Sequence, residues 1–181
     1  MTGNHKFGAI TALALPGGAA TQIVETYNGS RFNSPNDMVI RSDGTIYFTD
    51  PDYQAPSQRP QTASRVYRVP PGSSTATVVD AGRQQPNGIT LSLDEAFLYV
   101  GGGDGLGIDC QGNIYATTNN TVAVVSATGT SLGTITVSGV QSVTNVAFGG
   151  ADHRTLYITA LGSGSQNGLF RVTMPLPGMP Y

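Results

Sequence analysis

Four side chains with oxygen donors recur at one place in a repeated pattern: Asn36, Asn87, Asp104 and Asn145. Each leads a short apolar run, then a turn containing Asp or Gly, then a second run carrying a tyrosine. Those tyrosines, Tyr47, Tyr99, Tyr115 and Tyr157, follow at 11, 12, 11 and 12 residues. Amide and carboxylate oxygens are hard donors, and a ring of them suits a hard cation such as Ca2+, which takes roughly 6–8 oxygens. A cation held that way can polarise a carbonyl and activate a water for hydrolysis. Any one Asn or Asp beside Pro or Gly is an ordinary turn residue. The shared register sets these four apart.

A ring needs elements that bring distant residues to one place. The segments are PNDMVIRSDGTIYFTD, PNGITLSLDEAFLYVG, GDGLGIDCQGNIYATT and TNVAFGGADHRTLYITA, starting at Pro35, Pro86, Gly103 and Thr144. Each reads as a β-hairpin closed by a tight turn, such as Ser42-Asp43-Gly44 or Cys110-Gln111-Gly112. Further strands are predicted over residues 64–69, 75–79, 122–126, 133–137 and 168–173. Four strands in about 40 to 50 residues is the pattern of a propeller blade. In a propeller the innermost strands line a central channel, so equivalent strand-leading residues converge on its axis. The reading is an all-β propeller in a single domain. Residues 1–34 supply outer strands of a partial blade ("FGAITALAL" and "TQIVETY"), and 35–85 form a blade. Residues 86–102 form an inner hairpin only, 103–143 a blade, and 144–181 a last, incomplete blade.

Composition agrees. The 181 residues include 24 Gly and 11 Pro, only 11% are charged, and the formal net charge is -2. There is no cluster of Lys and Arg to bind nucleic acid. No apolar run approaches the about 20 residues of a membrane span, and the start of the chain lacks a signal-peptide pattern. Low charge and abundant Ser, Thr and Gly suit an exported parent protein; the compartment is left unassigned. Asn28-Gly-Ser and Asn119-Asn-Thr match the glycosylation sequon. Cys110, the single cysteine, is expected to be a small buried hydrophobe. A phosphate-binding glycine loop is excluded because no Lys-Ser/Thr follows Gly101–Gly103. "GSGSQ" at Gly162 matches a nucleophile elbow incompletely and is expected in a hairpin loop.

The four segments resemble, in order, the motifs of the senescence-marker/gluconolactonase/luciferin-regenerating-enzyme family, which includes regucalcin. The resemblance is nearest to its gluconolactonase-like branch and covers almost the whole chain. It implies a six-bladed propeller, of which this chain carries roughly four inner hairpins. It also implies one divalent metal at the channel mouth and hydrolysis of sugar lactones or related esters. By that resemblance Asn87 of "PNG" and Asp104 of "DGLGID" are metal ligands. Asn36 of "SPND" is a ligand or a substrate contact, and Asp104 and Asn36 are the catalytic candidates. Asp50 of "FTDP" reads as structural or as a support to the ligands, and Asp37 is given no role. His5, in a stretch resembling the family's "HGN", reads as an ordinary loop histidine. The implied cation is Ca2+, with Zn2+, Mg2+ or Mn2+ as alternatives.

The sequence also departs from the family pattern. The glutamate ligand expected from a first blade has no counterpart. Only 17 residues separate Asn87 from Asp104, room for a hairpin and not for a blade. Residues 101–103 would form the link. Open sheet edges invite self-association. With one carboxylate in the donor set, weak metal binding is expected. The function expected is a metal-dependent lactone or ester hydrolase, with enzymatic activity an open question. The alternatives are a non-catalytic propeller binding module and a fragment of a larger lactonase.

Overall fold

The computed structural model describes residues 1–4, 7–162 and 167–179. His5 and the Ser163–Gln166 part of "GSGSQ" lie outside the described residues. Among those described there is no helix, so none is long and apolar enough to cross a membrane. Every sheet is antiparallel wherever its register is defined. The chain divides into two compact units, Met1–Ile89 and Thr90–Tyr181.

In the first unit β1 (Thr2–Asn4), β2 (Ala9–Leu13) and β3 (Ala20–Val24) form a three-stranded sheet. β4 (Thr26–Tyr27) and β5 (Ser30–Arg31) form a small hairpin. A four-stranded sheet follows, in the order β6 (Met38–Ile40), β7 (Ile46–Asp50), β8 (Arg65–Val69), β9 (Thr77–Asp80). The sequence reading assigned no strand to Thr2–Asn4, whose Thr-Gly-Asn lacks apolar alternation. It pairs with Ala9–Thr11 of β2 all the same.

β10 (Ile89–Leu91) and β11 (Leu98–Val100) form a two-stranded sheet; Ile89 is the last residue of the first unit and Thr90 the first of the second. Next come four strands in sequence order, β12 (Leu106–Ile108), β13 (Ile114–Thr118), β14 (Thr121–Val125) and β15 (Ser131–Thr136). The last sheet has β16 (Ser142–Gly149), β17 (Thr155–Leu161) and β18 (Gly168–Thr173). Beyond β18 the chain returns to β12: Asp109 bridges Gly178, and the Met179 amide donates to the Ile108 carbonyl at 3.3 Å.

All four expected hairpins use one turn device. Asp43, Asp94, Asp109 and Asp152 each accept the amide two residues on, from Thr45, Ala96, Gln111 and Arg154, at 2.8–3.1 Å. An aspartate bonding its own backbone in this way fixes the reversal locally. Asp109 goes further. Fully buried, it also accepts from the Asn113 amide and side chain and from the Tyr115 hydroxyl. Cys110 beside it is exposed, not buried as the sequence suggested. The turn sends Asp109 inward and Cys110 outward, and the Cys110 amide is held by the Pro177 carbonyl at 2.9 Å.

Each unit has its own core. In the first, Phe32, Phe48 and Tyr67 are fully buried, and their ring centroids lie 4.9–5.2 Å apart. Burying a side chain of this size stabilises by about 1.5–3 kcal/mol, and aromatic packing adds to it. In the second, Tyr115 and Phe148 meet edge to face at 5.0 Å, beside Val122, Leu156 and Ile158. These cores hold the tyrosine-bearing strands in place, and with them the segments that lead the inner strands.

Candidate metal-binding and catalytic site

Strand pairing fixes which residues are equivalent. Tyr47 lies opposite Val39, Tyr115 opposite Gly107 and Tyr157 opposite Ala147. Counting back three residues from those partners gives Asn36, Asp104 and Thr144. Asn36 and Asp104 are therefore equivalent, as their spacing from tyrosine suggested. Asn145 is not: it pairs with Thr159 and shares the rank of Asp37 and Gly105. The hairpin of this unit is longer: ten residues separate Ala147 from Tyr157, against eight from Val39 to Tyr47 and from Gly107 to Tyr115, and the near-equal spacing from Asn145 to its tyrosine hides the shift.

In the first unit the Asn36 and Asn87 segments are tied together. The Asn36 amide donates to the Thr49 carbonyl at 2.9 Å, continuing the hairpin past β6. Thr49 is fully buried. Its hydroxyl accepts from the Asp37 amide at 3.1 Å and donates to the Asn87 carbonyl at 2.8 Å. Asp37 completes the link: Oδ1 accepts the Met38 amide at 2.8 Å, and Oδ2 reaches across to the Ile89 amide at 3.0 Å. Asn87 is buried and Asn36 half-buried.

Asp50 is structural. Its carboxylate, at the end of β7, accepts the Asn33 amide at 3.0 Å and the Ser34 amide at 2.7 Å. It thereby shapes the loop that delivers Ser-Pro-Asn-Asp to β6. Burial pushes its pKa up to about 6, against the opposing pull of those two amides and of Arg59 and Arg65.

The second unit repeats the threonine device. The Gly105 amide donates to the Thr117 hydroxyl at 2.8 Å, and the Thr117 amide to the Gly105 carbonyl at 3.1 Å. Thr117 is buried. A Cβ on Gly103 would come within 1.9 Å of the Thr117 carbonyl oxygen, and one on Gly105 within 2.2 Å of Asn145 Oδ1. Asp104 is thus carried between two residues that must be glycine, with the exposed Asn145 packed over its neighbour. Burial raises the Asp104 pKa above the usual carboxylate range.

The sequence reading missed Thr49 and Thr117. The signal was present in Tyr-Phe-Thr, Tyr-Ala-Thr and Tyr-Ile-Thr, where a threonine follows the hairpin tyrosine by two in three of the four units. In chemical kind, each of Asn36, Asn87 and Asp104 offers the hard oxygen donor that a hard cation takes, and the Asp104 carboxylate is half-buried and disfavoured as a bare anion. Among the described residues no three His, Cys, Asp or Glu side chains gather where they could hold a metal ion.

Comparison with known proteins agrees with this architecture. The family model described as SMP-30/Gluconolactonase/LRE-like region matches residues 2–103 and 100–162. A gluconolactonase of Zymomonas mobilis subsp. mobilis is 28% identical over 183 residues, which cover 76% of this chain and 51% of that protein. The chain thus spans about half the length of that relative. The structure of a gluconolactonase from Xanthomonas campestris aligns at 27% identity with a TM-score of 0.79, covering 94% of this chain and 65% of the other. A calcium-binding protein, regucalcin, from Agrobacterium tumefaciens aligns at 19% identity with a TM-score of 0.76, covering 96% and 72%. At that identity the likeness concerns the fold. The fold class is that of these proteins, an all-β propeller.

Proposed function

The chain belongs to the SMP-30/gluconolactonase/LRE-like family, and from that premise we propose that it is a lactone hydrolase, or part of one, dependent on a divalent metal. The observation that carries the reading is the tie between the "SPND" and "PNG" segments through Thr49 and Asp37. It holds two amide-bearing motifs of the family together within one unit.

In this reading Asn36 and Asn87 supply neutral oxygens to the metal and Asp104 supplies the carboxylate. Hard oxygen donors favour Ca2+, and Mg2+, Mn2+ and Zn2+ are the competitors to test. Bound there, the cation would polarise the lactone carbonyl and lower the pKa of a water. Asp104, the catalytic residue, takes a proton from the attacking water. As the water oxygen bonds to the carbonyl carbon, the bond from that carbon to the ring oxygen breaks. The proton then passes to the ring oxygen, leaving a hydroxy acid. Asn36 orients the lactone by hydrogen bonding to its oxygens, a role that requires reach within about 3 Å.

The substrate class is a sugar lactone or related ester. A single carboxylate makes metal binding weak in this chain, since affinity follows ligand charge. The same observation favours a second reading, a propeller module that binds without catalysis or a fragment of a larger lactonase. Proton release from gluconolactone, followed with and without chelator, separates the two. A chelator-sensitive rate supports the hydrolase, and a rate equal to buffer supports the binding module.

A further inference from the structure

We propose that Thr49 and Asp37 are positioning residues that set the separation of Asn36 and Asn87, and that Thr117, within the second unit, holds the backbone that carries Asp104. The inference rests on the metal-site reading above and assigns a role to residues outside the donor set.

Thr49 carries one hydroxyl proton and faces two carbonyls, Asn87 O at 2.8 Å and Asp37 O at 3.3 Å. The shorter contact takes the proton, and the lone pairs remain for the Asp37 amide at 3.1 Å. The hydroxyl is therefore a two-way connector between the backbones adjoining the two asparagine side chains. Neither valine nor alanine can replace it. Asp37 adds a second connector, with one oxygen on its own strand and the other on the first residue of β10. Two links of different chemistry and direction remove the sliding freedom that a single bond would leave. Thr117 bonds the Gly105 amide as Thr49 bonds the Asp37 amide. Gly105 cannot contribute a carboxylate, and there the Asn145 side chain packs where a Cβ would stand. Outer partners that orient ligands influence metal affinity without touching the metal.

The test uses the full chain with Tb3+ as a luminescent stand-in for Ca2+, together with amide hydrogen exchange, which needs no metal. Thr49→Val removes the hydroxyl at constant shape, and Thr49→Ser restores it. Thr11→Val is the control, another buried threonine whose hydroxyl bonds a backbone carbonyl, that of Thr2. Thr49→Val is expected to weaken Tb3+ binding by about tenfold or more, while Thr49→Ser and Thr11→Val stay within about twofold of the parent. Amides of residues 36–38 and 87–89 are expected to exchange about tenfold faster in Thr49→Val than in Thr49→Ser. Unchanged exchange at those amides overturns the proposal, as does an equal affinity loss in Thr11→Val. A parent chain that binds no Tb3+ contradicts the metal reading, and exchange still decides the connector. If Thr49→Val does not fold, Asp37→Asn takes its place. It replaces one acceptor with a donor, and equal affinity and exchange in that variant overturn the proposal.

Discussion

Asp50 and Asp104 show how one residue type serves different ends. Asp50 is fully buried, holds two backbone amides, and has a pKa raised from the ordinary 3.8 to about 6. Between about pH 4 and pH 6 the folded chain keeps a proton there that the unfolded chain has released. The stability owed to that proton is fully present below about pH 4 and is lost as the pH rises through about 6, on the order of 3 kcal/mol. Urea unfolding of the parent across this range should show that decline, and Asp50→Asn should flatten it. An equal slope in both would exclude Asp50 as its source. Asp50→Ala leaves the Asn33 and Ser34 amides unpaired and should destabilise by about 2–5 kcal/mol at pH 7. For Asp104 the expectation concerns binding: Asp104→Ala should abolish measurable Ca2+ uptake in calorimetric titration with the unfolding midpoint little changed. Tight binding in that variant would remove Asp104 from the donor set.

At the scale of the element, the glycines around Asp104 matter as much as the carboxylate. A Cβ at Gly103 meets a backbone oxygen, which cannot swing aside as a flexible side chain can. Gly103→Ala should therefore cost about 2–4 kcal/mol through forced backbone displacement. Gly102→Ala should be close to neutral, because a Cβ at Gly102 meets nothing within 4 Å. Thermal unfolding of the two variants measures this, and equal midpoints would contradict the account. Hairpins were the most legible feature of the sequence. Alternating apolar residues, an Asp-bearing turn and a tyrosine at fixed distance all express local geometry. What escaped was non-local or irregular. The longer hairpin between Ala147 and Tyr157 shifts Asn145 by one rank without leaving a mark in composition. β1 forms because β2 offers an edge, although its own residues have little strand preference. The exposure of Cys110 depends on which way a turn aims, and the tail from Pro177 to Met179 settles that from far along the chain.

At the scale of the whole molecule, family membership and fold class were both legible, because four motifs recur in one order along nearly the entire chain. The site was legible in part. Asn36 and Asn87 came from the repeat, and their being linked through Thr49 and Asp37 came only from the structure. Each unit carries its own core, so truncating a central side chain should unfold locally defined structure. Phe48→Ala should cost about 3–5 kcal/mol, seen as a lower denaturant midpoint, and an unchanged midpoint would contradict the role given to that core. The central claim is metal-dependent lactone hydrolysis by residues of this chain. Its most direct measurement is the initial rate of gluconolactone opening by the chelator-treated chain, before and after Ca2+ is added back, with Asp104→Ala alongside. The account predicts a rate restored by Ca2+ in the parent and absent in the variant. A rate indifferent to both chelator and Asp104, or no rate above buffer at saturating Ca2+, would contradict it.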